Sequence, residues 1–214
     1  MAFRLPTLIE TVRIRNGVAP LWYLHLRRLA GSCKALGVPL PGELPTPEGG
    51  ADRIHRLEAG RGGVRVTERG VGSTEPVSLA LSTVVHRPYP HKTTDRDQFD
   101  RTLEEARAAG ADDGLMVTGG GYVAECAVWG LFWWEDGRLC APALELKVLP
   151  GVARARLDEV AGGIAERRAR ISELEGRSVF VANAARGVVP VTTLGGRPVP
   201  QDPGTLRLSG VFWS

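Results

Sequence analysis

Lysine, cysteine and long hydrophobic runs are all scarce in this 214-residue sequence. No apolar stretch approaches the roughly 20 residues needed to cross a bilayer, and Met1–Pro6 is too short for a signal peptide. The three cysteines, Cys33, Cys126 and Cys140, share no close spacing, so neither a disulfide framework nor a zinc knuckle is readable, and no metal site is expected. An excess of one charge is also missing, since the formal net charge is only +3. The single dense basic cluster, Arg167-Arg168 with Arg170, is flanked by Glu166 and Glu173 and reads as a solvated face. A nucleic-acid reader would gather its cations into a stripe interleaved with aromatics, and none is present. With 43% hydrophobic and 24% charged residues the composition is that of an ordinary globular protein. A soluble, cytoplasmic protein is the expectation, with no membrane or nucleic-acid partner.

The lysine shortage has a chemical edge. Of 27 basic residues only Lys34, Lys92 and Lys147 are lysines; the rest are arginines. A guanidinium stays protonated and cannot form an imine, whereas a lysine amine can once it gives up its proton. Codon bias also produces such a shortage, so the observation ranks three candidates. Lys34 falls on the outer face of an amphipathic segment and Lys147 in a loop before Pro150. Lys92 lies in Pro90-His91-Lys92-Thr93-Thr94-Asp95-Arg96, between a proline-stiffened turn and a helix start. On placement it is the best amine nucleophile, against the reading of an ordinary surface lysine.

The hydrophobic pattern predicts a mixed α/β chain. Leu8–Arg15 alternates as a strand with Leu8, Val12 and Ile14 on one face, and Asn16-Gly17 is a hairpin signal. Glu10 shares that apolar face, so its carboxylate needs a partner. Pro20 opens a helix with Trp22, Leu26, Leu29, Cys33 and Leu36 inward, ended by Gly37 and Pro39. Leu40–Gly63 is rich in Pro and Gly at its ends, with a short helix expected around Ala51–Glu58, and Val64–Glu68 reads as a strand. Arg69–Pro76 is the best linker, so a small domain is placed at 1–72 and a larger one at 73–214. In the latter, Val77–Val85 is a strand, and Asp95 is expected to cap a helix carrying Phe99, Leu103 and Ala106 inward, stopped by Gly110. Leu115–Thr118, Tyr122–Ala124, Gly130–Trp134 and Arg138–Ala141 read as short strands. A helix is expected from about Val152, and the strands Val179–Asn183 and Val188–Thr192 are expected to close the chain. No internal repeat appears.

Two further features carry chemistry. Glu125 is the only charge in the apolar stretch from Met116 to Trp134. A carboxylate there requires a cation or a protonated heterocycle, and an ion pair with an arginine would serve as well. Leu149-Pro150-Gly151-Val152-Ala153-Arg154 is a glycine turn running into a helix start, where backbone N–H groups and the positive helix end suit a phosphate.

Taken in order, Leu8-Ile9-Glu10-Thr11-Val12-Arg13, His25-Leu26-Arg27-Arg28-Leu29, His91-Lys92-Thr93-Thr94, Glu125 in its apolar strand, Leu149–Arg154 and Asn183-Ala184-Ala185-Arg186-Gly187 resemble the class IV aminotransferases. The resemblance covers most of the chain, from Leu8 to about Val191. It implies a two-domain fold-type IV enzyme with pyridoxal 5′-phosphate between the domains and a homodimer completing the site. By that resemblance Lys92 bonds covalently to the cofactor and shuttles the proton, and Glu125 binds the protonated pyridine nitrogen. Arg28 and the N–H groups of Val152 and Ala153 hold the phosphate, and many relatives supply a hydroxyl at the position of Ala184. The Lys-Thr-Thr and Asn-x-x-Arg-Gly pieces look most like aminodeoxychorismate lyase, which removes pyruvate from 4-amino-4-deoxychorismate to leave 4-aminobenzoate for folate synthesis.

The sequence departs from the family's pattern at three places. Gly130 stands where the family has asparagine, Ala153 where it has threonine, and Ala184 where it has serine or threonine. The glycine-rich N-terminal stretch of the family is also lacking. A branched-chain or D-amino acid aminotransferase, which would use the same lysine and Glu125, is a second expectation; the three departures motivate a third, a cofactor-binding protein without turnover.

Overall fold

The computed structural model describes residues 6–214, so of the Met1–Pro6 segment only Pro6 lies among the described residues. The chain divides into two compact units. One holds the chain up to Ser73 together with His91–Asp95 and Ala184–Arg186; the other holds Thr74–Pro90, Arg96–Asn183 and Gly187–Ser214.

In the first unit, β1 (Leu8–Ile14) buries Leu8, Val12 and Ile14 as the alternation dictates. Asn16 and Gly17 both have positive φ, at 49° and 78°, which is the twist a two-residue hairpin turn requires, and Arg15 bridges Val18 across it. α1 (Trp22–Leu36) ends at Gly37, whose left-handed conformation lets its N–H donate to the Cys33 carbonyl. The buried stripe of α1 is Leu24, His25, Leu29, Ser32 and Cys33, whereas Trp22 and Leu26 are only half-buried. The helix is therefore turned so that two polar side chains point inward. β2 (Arg53–Gly60) and β3 (Gly63–Arg69) complete a three-stranded sheet in the order β1-β2-β3, all antiparallel. The helix expected around Ala51–Glu58 is thus corrected to a strand. Arg53–Ala59 pair with β1 on one side, Leu57 opposite Glu10 and Ala59 opposite Leu8, and Ile54–Gly60 pair with β3 on the other. That pairing is long-range, and it decides a short segment whose local pattern is ambiguous. Leu8, Leu29, Cys33, Leu57 and Ala59 pack as the core.

The second unit carries β4 (Val77–His86), α2 (Asp97–Ala108), β5 (Asp113–Thr118), β6 (Val123–Cys126), β7 (Gly130–Glu135), β8 (Arg138–Pro142), α3 (Val152–Ala161), β9 (Ala165–Arg167), β10 (Val179–Asn183), β11 (Gly187–Leu194), β12 (Arg197–Pro198) and α4 (Pro203–Val211). The strands form one sheet ordered β6-β5-β4-β11-β10-β7-β8-β9, with β12 paired to β11. β4 runs parallel to both β5 and β11, and α2 makes the crossover from β4 to β5. Gly114 allows α2 to lie close, because a Cβ there would meet the Thr102 side chain at 2.7 Å and its carbonyl at 2.9 Å. The core joins Leu79, Leu115, Leu131, Trp133, Val181 and Val189.

Two expectations fail here. Asp95 does not cap α2: the capping position is Arg96, without a side-chain cap, and the Asp95 N–H instead donates to Thr93 Oγ1. The chain does not close on strands either. After β11 it continues through β12 into α4, where Asp202 caps the helix by accepting the Gly204 N–H and Pro203 occupies the first turn. Trp134 Nε1–H to Thr205 Oγ1, at 2.9 Å, and Arg156 Nε–H to the Phe212 carbonyl, at 2.9 Å, hold this end down.

Candidate functional site

The first unit gathers Glu10, His25, Arg28, Lys92 and Ala184. Glu10 lies on the buried side of β1 and is 2% exposed, so both of its oxygens must find donors. Arg28 reaches it from α1 with a two-pronged contact, Nε–H to Oε1 at 3.0 Å and Nη2–H to Oε2. His25, one turn earlier and fully buried, donates from Nδ1 to Oε2 at 2.6 Å. Burial works against the ionised carboxylate, but Arg28 and His25 outweigh it and bring the Glu10 pKa down to about 2. Burial moves His25 the same way, below its ordinary value, against the pull of Glu10. His25 is therefore neutral near pH 7. Since the carboxylate only accepts, the Nδ1–H tautomer is required, leaving Nε2 as a buried lone pair with no partner among the described residues.

Lys92 belongs to this unit because its segment adds to the outer edge of β1. The Ile9 N–H donates to the Lys92 carbonyl at 2.8 Å, Thr94 N–H to the Thr7 carbonyl at 3.0 Å, and Thr93 bridges Leu8. His91 Nδ1 and Ser32 Oγ, 3.1 Å apart, tie the same segment to α1. Lys92 is half-buried, whereas Lys34 and Lys147 are exposed. Its positive charge is also felt at His25.

Glu125 sits in the second unit, on β6, and is 7% exposed. Its protein partner is not an arginine but His86, the last residue of β4, with Nε2 2.8 Å from Oε1. The Leu149 N–H donates to the same oxygen at 3.3 Å. Asp113, fully buried, accepts the N–H groups of Gly114, Ala127 and Val128 at 2.7, 3.1 and 3.0 Å and so shapes the bend that follows Glu125. Gly151 precedes α3, whose first residues Val152 and Ala153 are buried. First-turn N–H groups have no partner inside a helix. Arg154 anchors this start, with Nη1–H to the Pro142 carbonyl at 2.6 Å and Nη2–H to Glu166 at 2.8 Å. The sequence reading missed His86 and Asp113 as partners. Both lie at the ends of apolar strands, which was the one available signal.

The sequence from 67 to 194 matches the model of the class IV amino-transferase family. The chain belongs to the class IV amino-transferase family. Members of this family are pyridoxal-phosphate enzymes. Solved structures of similar fold include a candidate 4-amino-4-deoxychorismate lyase of Legionella pneumophila, at 22% identity and TM-score 0.83 over 95% of this chain and 88% of that one. The branched-chain aminotransferase of Thermoproteus uzoniensis aligns at 21% identity and TM-score 0.85, over 97% of this chain and 84% of that one. A hypothetical aminotransferase of Mycobacterium tuberculosis in its pyridoxal-phosphate-bound form aligns at 22% and 0.85, over 99% and 88%. At these identities the likeness is one of fold. No curated protein matches the sequence. Among the described residues of this family member, no group of histidines, cysteines or carboxylates could hold a metal, and no helix is long and apolar enough to cross a membrane.

Proposed function

We propose that this member of the class IV amino-transferase family is a pyridoxal-phosphate lyase that removes pyruvate from 4-amino-4-deoxychorismate to give 4-aminobenzoate. The observation that carries the choice is the pair of motifs His91-Lys92-Thr93-Thr94 and Asn183–Gly187, which resemble the lyase branch. The likeness in fold to the Legionella pneumophila protein is consistent with it.

The residues fit the cofactor chemically. Lys92 supplies the amine for a covalent attachment. Arg28 offers Nη1, the guanidinium nitrogen not bonded to Glu10, to a phosphate, and the Val152 and Ala153 N–H groups offer a second set of donors. Ala184 brings only its backbone there. Glu125 offers Oε2 to a protonated ring nitrogen. When bound, the cofactor supplies an electron sink for the bonds at the substrate's amine-bearing carbon. Lys92 then holds and returns the proton at that carbon, and Glu125 keeps the ring nitrogen charged. A homodimer in the cytoplasm is part of the same reading.

An aminotransferase is the second reading, favoured by the fold shared with the Thermoproteus uzoniensis enzyme. Turnover without added 2-oxo acid decides between them. The lyase releases 4-aminobenzoate from aminodeoxychorismate alone, whereas an aminotransferase converts its cofactor to the amine form when given a single amino acid. Protein that binds the cofactor and does neither would leave the non-catalytic reading, to which Gly130, Ala153 and Ala184 point.

A further inference from the structure

His86 is a buried histidine, its side chain 1% exposed, that the family resemblance does not use. β4 places it at the carboxyl end of the strand, opposite Thr118 of β5, and β6 with Glu125 lies on the far side of β5. Two strands away from Glu125, the imidazole nevertheless reaches Oε1 at 2.8 Å. A carboxylate only accepts, so Nε2 carries the proton and donates it. The Leu149 N–H, from the turn that leads to α3, donates to the same oxygen. Oε1 is thus committed twice. Oε2 has no protein donor among the described residues, and the Glu125 side chain keeps 9% of its surface exposed. The one oxygen left for a ligand is selected by the two donors on the other.

We propose that His86 is a positioning residue: by donating to Oε1 it turns Oε2 of Glu125 outward as the acceptor for a cationic ring N–H. This rests on the reading that Glu125 faces the cofactor's pyridine nitrogen and adds the residue that aims it. The Leu149 contact gives the aim a second consequence. The turn that opens α3, whose amides are proposed to hold the phosphate, is joined to the carboxylate proposed to hold the ring, within one unit of the chain.

The test uses cofactor labelled with nitrogen-15 in the ring, bound to wild type, His86→Ala and His86→Gln. The ring-nitrogen signal is expected to report a protonated nitrogen in wild type and a shift toward the neutral form in His86→Ala. His86→Gln, which keeps an N–H donor, should restore most of the wild-type signal. kcat should fall roughly 10–100-fold in His86→Ala, the range for removing the outer partner of a ligand-holding side chain, with KM little changed. An unaltered nitrogen signal in a His86→Ala protein that binds the cofactor overturns the proposal. Wild-type protein that takes up the cofactor with a neutral ring nitrogen overturns the reading of Glu125 instead, and the aim assigned to His86 with it. Should His86→Ala fail to fold, the imidazole nitrogens of unliganded wild type and Glu125→Gln give the answer. A proton held on Nε2 by the carboxylate supports the proposal, and rapid exchange between both nitrogens in wild type refutes it.

Discussion

Two buried carboxylates, one in each unit, stand beside a histidine, yet their second partners differ. Glu10 meets the paired nitrogens of Arg28, so both of its oxygens are engaged inside the protein. Glu125 meets a backbone N–H that lands on the oxygen already used by His86, so half of the carboxylate is left over. A carboxylate engaged at both oxygens is a strut, whereas one held by a single oxygen is a holder. The difference lies in the donors, since burial is similar at both, and each prediction below sets the two sites apart by a measurement.

The largest effect is expected at Lys92, which gives the comparison its chemical meaning. Lys92→Ala should lower turnover by about 10²–10⁴-fold, the contribution of a positioned proton-transfer group. Borohydride reduction of the holoprotein should mark Lys92 in a peptide map, and a label on Lys34 or Lys147 would overturn the assignment of the amine to Lys92.

Glu10→Gln comes next, and it should act on stability. The new amide cannot accept from all three donors, and Arg28 loses its counter-charge, a change that costs about 3–5 kcal/mol for a buried pair. Denaturant unfolding measures it. Acid makes the same point reversibly. With its folded pKa near 2 against an ordinary 4.5, Glu10 contributes about 3 kcal/mol that is fully present above pH 4.5 and lost as pH falls toward 2. His25, held below its ordinary 6.5, adds a loss of the same sign as pH drops beneath that value, because the unfolded chain takes up the proton first. The Glu10→Gln variant should lack the lower window.

Glu125→Gln should do the reverse. The amide oxygen can still accept from His86 and Leu149, so stability should stay within about 1 kcal/mol. Turnover should drop about 10²–10³-fold with the cofactor still bound, as when one preorganised electrostatic partner is lost. If this variant unfolds like Glu10→Gln and keeps its turnover, Glu125 is a second strut.

Arg28→Ala sits between the two behaviours. It should weaken pyridoxal-phosphate affinity by about 1.5–3 kcal/mol, the worth of a hydrogen bond to a charged group. It should also destabilise the unliganded chain, because Glu10 loses its arginine. A stability loss with unchanged affinity would mean that Arg28 serves Glu10 alone. The smallest effect is expected from Ala153→Thr, where a restored hydroxyl should tighten cofactor binding by about 1 kcal/mol in an equilibrium titration.

How much of this was legible in the sequence can be followed residue by residue. Period-2 alternation announced β1 and a run of β-branched residues announced β4, the Asn16-Gly17 turn follows from a positive φ that few residues tolerate, and a Pro-Gly turn marked the start of α3. The apolar surroundings of Glu10 and Glu125 showed that each needed a partner. They did not say which one. Partners come from strand order and helix rotation: the Ala51–Glu58 segment became a strand only because β1 and β3 flank it, and α1 turned His25 inward although the apolar spacing pointed to Leu26. His86 reaches Glu125 across β5, over 39 positions of chain, and nothing local to either residue encodes that meeting. The sequence by itself determined which groups are costly to bury; the tertiary structure alone decided which donors meet that cost, because a carboxylate's partner is chosen by distance in space rather than along the chain.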